Sequence, residues 1–168
     1  MSVPPTPGAA APEPHAIAAA TEADLDELLV LMRAYCDFYE LSPAQEALRG
    51  LSRALLADPS HEGLQLLARD ANRRAVGFAT IFWSWDTTEG ARIGIMNDLY
   101  LAPEARGSGL ADRLIAACRE RCAARGAVRL EWMTAPENLR AQAVYTRVGG
   151  VREPWWIYTL PVAGTPQR

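Results

Sequence analysis

The chain contains no lysine: all 17 of its basic residues are arginine. That absence excludes whole chemistries. A Schiff-base enzyme needs a lysine amine, and a Walker-type loop needs a lysine ammonium on the phosphates. Histidine is scarce too, with only His15 and His61, far apart in the chain. One chain cannot build a multi-histidine metal site from them, so no metal is expected. The three cysteines are Cys36, Cys118 and Cys122. An odd count without regular spacing argues against a disulfide framework and for a reducing compartment. Cys118 and Cys122 stand one helical turn apart with no second pair to complete a metal site, so they read as core packing.

Clustered positive charge is also missing. The formal net charge is −3 and no dense basic block occurs, which argues against a nucleic-acid partner. No run approaches the ~20 apolar residues that span a bilayer. The first residues lack the positive start and apolar stretch of a secretory signal. The expectation is a cytoplasmic protein with neither nucleic acid nor membrane as partner.

What is present is an ordinary globular composition: 168 residues, 49% hydrophobic and 22% charged. That suffices for one core. Residues 1–14 carry five prolines among small residues and read as a loose tail. A single domain is expected over 15–160 and a second short tail over 161–168.

His15–Ala20 reads as a short strand. Thr21 resembles a helix N-cap, and Glu22, Asp24 and Asp26 suit the positive end of a helix dipole. Leu25, Leu28, Leu29, Met32, Tyr35 and Tyr39 then recur at helical spacing. Ser42 before Pro43 reads as the start of a second helix, reaching about Ala57. Leu64–Arg69, Ala75–Trp85 and Arg92–Leu101 read as three strands of an antiparallel meander. In the last of these Ile93, Ile95, Asn97, Leu99 and Leu101 share one parity. Leu110–Arg125 reads as an amphipathic helix, Val128–Met133 as a strand, Asn138–Val148 as a helix and Trp155–Leu160 as a last strand. The sum is an α/β fold with a mixed, mostly antiparallel central sheet flanked by about four helices.

The stretch richest in chemistry joins the third meander strand to the amphipathic helix: Ala102-Pro103-Glu104-Ala105-Arg106-Gly107-Ser108-Gly109-Leu110-Ala111. A strand entering a helix through small residues aims free backbone N–H groups at one point and, with the helix dipole, makes an anion site. It is neither G-x-G-x-x-G, since the third glycine is missing, nor a Walker loop, since the lysine is missing. The strand before it belongs to a meander, which disfavours a Rossmann domain. A second pattern lies downstream, Asn138-x-x-Ala141-x-x-Val144-Tyr145-x-x-x-Gly149.

Together the two motifs resemble the GNAT superfamily of N-acetyltransferases. The family's R/Q-x-x-G-x-G/A loop stands here as Arg106-x-x-Gly109-x-Ala111, preceded by Asp98-Leu99-Tyr100-Leu101-Ala102-Pro103-Glu104. The second motif is similar to the family's N-x-x-A-x-x-h-Y-x-x-x-G helix. The resemblance spans about 16–160, and it implies acetyl-CoA as co-substrate, direct attack by an amine, and a homodimer. Backbone N–H groups of Gly107, Ser108, Gly109, Leu110, Ala111 and Asp112 would hold the pyrophosphate. The strand edge at Leu99, Tyr100 and Leu101 would pair with the pantetheine amides. Arg106 would support the loop, and Asn138 would touch the carrier's arm. Tyr145 would donate to the departing thiolate.

The proton acceptor is less defined. Relatives acting on polyamines often carry Glu-Asp where this chain has Asn97-Asp98. Asp98 takes the role, or a water chain does, or Asn97 positions the substrate; an ion pair with an arginine is the structural alternative for Asp98. Tyr35, Phe38, Tyr39, Trp83, Trp85 and Trp132 are the aromatics expected near the acceptor, with Tyr35 and Trp83 as substrate contacts. Aromatic faces suit a cationic or apolar amine. Three functions stay open: a small-molecule N-acetyltransferase, an acyl-CoA-binding sensor without turnover, and a protein or peptide N-acetyltransferase. Neighbouring Trp155 and Trp156 face opposite ways on a strand, so one of them suits a dimer contact.

Overall fold

A computed structural model describes residues 15–162. The expected tail over 1–14, and that over 161–168 beyond Val162, lie outside the described residues. Five strands and four α-helices follow in the order β1 (Ala16–Ala19), α1 (Leu25–Phe38), α2 (Gln45–Ala57), β2 (Gly63–Arg69), β3 (Ala75–Asp86), β4 (Ala91–Leu101), α3 (Leu110–Ala124), β5 (Leu130–Glu131) and α4 (Leu139–Arg147). The strands lie side by side in chain order. The first three pairings are antiparallel and β4 with β5 is parallel. This is the mixed, mostly antiparallel sheet that the sequence suggests.

Local chemistry explains the entry to α1. The Thr21 amide and hydroxyl both donate to the Asp24 carboxylate, at 2.9 and 2.7 Å, closing a 3₁₀ turn over Glu22–Asp24. That bonding, with the Arg69 guanidinium beside it, holds Asp24 below the usual carboxylate range. The second helix starts two residues later than Pro43, at Gln45, with Ala44 as its cap.

Two apolar layers sandwich the sheet. On one face Leu25, Leu28, Leu29 and Met32 of α1 pack with Leu67 and Phe78. On the other, Leu110, Leu114, Ile115, Cys118 and Cys122 of α3 pack with Leu66, Val76, Ile81 and Met96. The cysteines are thus core residues, as their spacing suggests. Burial pushes the Cys118 thiol up to about 12 and that of Cys122 to about 11, which keeps both unreactive at neutral pH. Leu114 is fully buried in the centre of this layer. Leu114→Ala is expected to cost about 2–5 kcal/mol, combining lost transfer energy with a residual cavity. A fall in the urea midpoint at constant slope would show it; a change within 0.5 kcal/mol (about the scatter of surface substitutions) would contradict this packing.

Two expectations fail here, and each has a physical cause. The parity of Arg92–Leu101 does not hold along the whole strand. Thr80 pairs with Asp98 but Ile81 pairs with Met96, so Asn97 is the extra residue of a β-bulge. A bulge shifts side-chain alternation by one. Met96 therefore faces the α3 layer together with Leu99 and Leu101, although it differs from them in parity. The last strand, expected at Trp155–Leu160, is absent: residues 150–162 adopt no regular structure and 151–162 are exposed throughout. Among the described residues no strand pairs with them, and strand propensity without a partner makes no strand.

The fifth strand is also shorter than expected. Its ladder with β4 joins Gly94 to Leu130 and Ile95 to Glu131, and then the two segments diverge. From the bulge onward β4 has β3 on one side and an opening on the other.

Candidate active site

That opening is a cleft of about 750 Å³. Its floor is the free edge of β4, with Asn97, Leu99, Tyr100 and Leu101. The loop and first turn of α3 form one end, through Arg106, Gly107, Gly109, Leu110, Ala111 and Asp112. Trp132 to Thr134 and the inner face of α4, including Asn138 and Tyr145, form the far wall. The C-terminal end of α1 closes the other end with Tyr35, Phe38 and Tyr39. The splay that starts at the bulge is what brings residues from four helices and strands to one space.

The loop is built to leave main-chain donors free. A 3₁₀ turn over Pro103–Ala105 brings the chain off β4. Arg106 turns back, its Nε donating to the Leu101 carbonyl at 3.1 Å and its guanidinium 5.9 Å from the centre of the Tyr100 ring. The Ser108 hydroxyl donates to the Ala105 carbonyl at 2.7 Å. Gly107 and Gly109 take φ of 79° and 77°, the left-handed region that side chains disfavour. A Cβ at either would meet no protein atom within 4 Å. The first amide to enter the helix ladder is that of Arg113, which donates to the Gly109 carbonyl at 3.3 Å. The N–H groups of Leu110 and Ala111 therefore precede the ladder at the positive end of the α3 dipole. This geometry fits a diphosphate, and it needs no side-chain cation.

Two residues expected at the carrier have side-chain partners within the protein. The Asp112 carboxylate accepts from Arg147 at 2.9 and 2.8 Å, tying the start of α3 to the end of α4. This pair holds Asp112 below the usual carboxylate range. Asn138 caps α4, its Oδ1 accepting from the Ala141 amide at 3.1 Å. Ser108 does not line the cleft.

At the acceptor end Tyr145 stands edge-on to Trp132, ring centres 5.3 Å apart. Burial, with Tyr39 nearby, raises the Tyr145 phenol above its ordinary value, so it stays a hydrogen-bond donor at neutral pH. Tyr35 stands edge-on to Tyr39 at 5.1 Å. Asp98 lies just behind this wall and does not itself line the cleft. Its carboxylate accepts from Asn97 Nδ2 at 3.0 Å, and the Thr80 and Tyr35 hydroxyls lie beside it and favour its charged form. Thr80 in turn accepts from Gln65 at 3.2 Å. These partners are neutral; no arginine is among them. Burial is the largest influence on Asp98 and raises its carboxyl above the ordinary value. Burial and the neighbouring Asp98 charge push the Tyr35 phenol up as well.

Trp83, expected as a substrate contact, sits elsewhere. Its indole donates to the Pro59 carbonyl at 2.9 Å, and Arg125 lies over its ring. The strand-parity rule sends it to the α3 face, away from the bulge. Trp85 is exposed beneath Arg92. Sequence reasoning passed over Met133, Arg140 and Arg147, which rim the cleft. Arg140 and Arg147 flank Val144 at helical spacing on α4, and that periodicity was the available signal.

The fold and the cleft are those of an acyltransferase. Residues 27–150 match the model of the acetyltransferase (GNAT) family, and the chain belongs to that family. The chain is 28% identical over 130 residues to the uncharacterized N-acetyltransferase YhfO of Bacillus subtilis (strain 168), covering 77% of this chain and 85% of that one. The crystal structure of a probable acetyltransferase, 30% identical, superposes with a TM-score of 0.78 over 89% of this chain and 99% of its own. The aminoglycoside N-acetyltransferase AAC(6')-Iy in complex with CoA is 21% identical and shares the fold, with a TM-score of 0.75 over 88% of this chain and 94% of its own.

Proposed function

We propose that this acyltransferase moves the acetyl group of acetyl-CoA to the amino group of a small molecule. The observation that carries the reading is the pairing, in one cleft, of a main-chain anion cradle with an aromatic chamber that contains a raised-pKa tyrosine. Acetyl-CoA supplies the activated thioester; the residues supply binding and proton management. The amides past Gly107 hold the diphosphate, and the unpaired edge at Leu99–Leu101 lies where pantetheine amides add as a strand. Three unpaired cysteines agree with a cytoplasmic location.

The acceptor amine must arrive neutral. An alkyl amine near pKa 10.4 is mostly protonated at pH 7, and removing that proton costs roughly 4–5 kcal/mol. Tyr35 faces the cleft and contacts Asp98, so a proton leaving the amine reaches the Asp98 carboxylate through the Tyr35 hydroxyl. Asn97 orients that carboxylate. Tyr145 donates to the thiolate as the C–S bond breaks. The described side chains at the acceptor end carry no free carboxylate, and the one acid in the lining, Asp112, is held by Arg147. An amine on an apolar or aromatic body suits this chamber better than a polycation.

Incubation with acetyl-CoA and a panel of amines, followed by free-thiol release, tests the reading. Turnover of at least one small amine is expected. Saturable CoA binding without turnover across the panel would leave a sensor, and turnover of peptide amines alone would move the acceptor to protein. Asp98 also makes a pH prediction. As a base it works ionised, and its carboxyl is raised, so kcat/KM should climb with pH through a midpoint above the ordinary ~3.9. In Asp98→Asn that limb should vanish and the plateau should fall about a hundredfold. An unchanged profile would remove Asp98 from the proton path.

A further inference from the structure

Among the described residues three polar side chains are buried, Ser52, Gln65 and Thr80, with 0%, 4% and 0% exposure. Burying a polar group costs free energy unless it is paired, so each needs a reason to be there. Two of them stand in line. Gln65 of β2 pairs across the ladder with Thr80 of β3, and Thr80 pairs with Asp98 of β4. Gln65, Thr80 and Asp98 therefore form one polar row across three strands, on the sheet face that otherwise packs Leu67 and Phe78 beneath α1. The row ends at Asp98, next to the bulge that opens the cleft.

The hydrogen bonding in the row has a direction. An amide nitrogen only donates, and Gln65 Nε2 donates to Thr80 Oγ1 at 3.2 Å and to Met32 Sδ at 3.5 Å. The Ser52 hydroxyl donates to the same sulfur at 3.4 Å. With its oxygen already accepting from Gln65, the Thr80 hydroxyl has its proton left to give. Its neighbour across the ladder is Asp98, which as a carboxylate only accepts. The other groups that face Asp98 are Asn97 on β4 and Tyr35 and Cys36 on α1. Burial raises both Tyr35 and Cys36, so they are neutral at neutral pH. Arg33 of α1 and Arg106 of the loop donate to the Pro43 and Leu101 carbonyls instead.

We propose that Gln65 and Thr80 are positioning residues for Asp98: the buried amide turns the Thr80 hydroxyl so that its proton is offered to the carboxylate, which holds that carboxylate ionised and aimed at Tyr35. The inference rests on Asp98 as the proton acceptor of the proposed reaction, though the donor row itself can be measured without turnover. Burial works against the charge on Asp98 and the row works for it. Neutral donors suit the task. An arginine would hold the charge more firmly but would also weaken the base, whereas an amide and a hydroxyl steady the carboxylate and leave it able to take a proton.

Carbon-13 resonances of the aspartate carboxyl groups, followed against pH in the full chain and assigned with Asp98→Asn, give the Asp98 midpoint directly. Thr80→Val keeps the side-chain shape and deletes the donor, so that midpoint should rise by about one unit or more. Thr80→Ser restores the donor and should return it to the wild-type position. Gln65→Leu leaves the Thr80 hydroxyl free to rotate and should give a smaller rise in the same direction. Combining Gln65→Leu with Thr80→Val leaves neither partner of the pair buried alone, so the double variant serves where the single valine variant fails to fold. The rising limb of kcat/KM should follow the midpoint to higher pH, with about a tenfold loss per unit of displacement at pH values below it. An Asp98 midpoint that stays in place in Thr80→Val and in the double variant would overturn the proposal. One that moves in both but not in Gln65→Leu would overturn the part given to Gln65. A midpoint that moves while the kcat/KM limb stays would uphold the donor row and remove Asp98 from the proton path instead.

Discussion

Gly109→Val should weaken CoA binding at least a hundredfold, about 2.7 kcal/mol, while the protein stays folded. Two effects combine. The residue has φ of 77°, and a β-branched side chain is strained there whatever the surrounding space. The new methyls would also project from the loop at the mouth of α3, where no protein atom lies within 4 Å of an added Cβ. That empty space is the space a diphosphate needs in order to touch the backbone. Gly109→Ala carries the backbone strain with only one added carbon, so its loss should be intermediate. Calorimetric titration with CoA measures both. Equal affinity in wild type and in a folded Gly109→Val would displace the carrier from this loop.

Tyr145→Phe should lower kcat by about 10²–10³ and leave the KM for acetyl-CoA within a few-fold. The phenyl ring keeps the edge-on contact with Trp132, so the cleft wall survives. Only the hydroxyl is lost. A thiolate near pKa ~8.5 leaves more readily when a donor stands beside it, and that interaction grows as the C–S bond breaks. A loss confined to kcat is the signature of a group acting in the transition state. Steady-state thiol release at saturating acceptor decides it; a kcat within threefold of wild type would reassign Tyr145 to packing.

The main features of the fold were readable because local pattern and tertiary environment agree. Leu25, Leu28, Leu29 and Met32 recur at helical spacing and do cover one sheet face. Arg106-x-x-Gly109-x-Ala111 was readable because it encodes backbone shape, and glycine is the residue type most tied to shape. The bulge at Asn97 was not readable. Its cause is cross-strand register against Thr80 and Ile81, which a single strand's alternation does not contain. The shortness of β5 escaped for the same reason, since Val128–Met133 has strand character throughout and the splay from β4 cuts it to Leu130–Glu131. Trp83 and Tyr35 look alike as aromatics in apolar runs, but one faces α3 and the other the cleft. Trp155–Leu160 has every local mark of a strand and lacks only a neighbour in its own chain.

The two-rung contact between β4 and β5 has a consequence for persistence in the cell. Main-chain groups along Leu99–Leu101 face a gap, and on the proposed reading the carrier's arm fills it as a missing rung. A ligand that binds only the native form adds RT ln(1 + [L]/Kd), about 2.7 kcal/mol at a hundredfold excess over Kd. On that reading the carrier-bound form would resist unfolding and proteolysis better than the empty one.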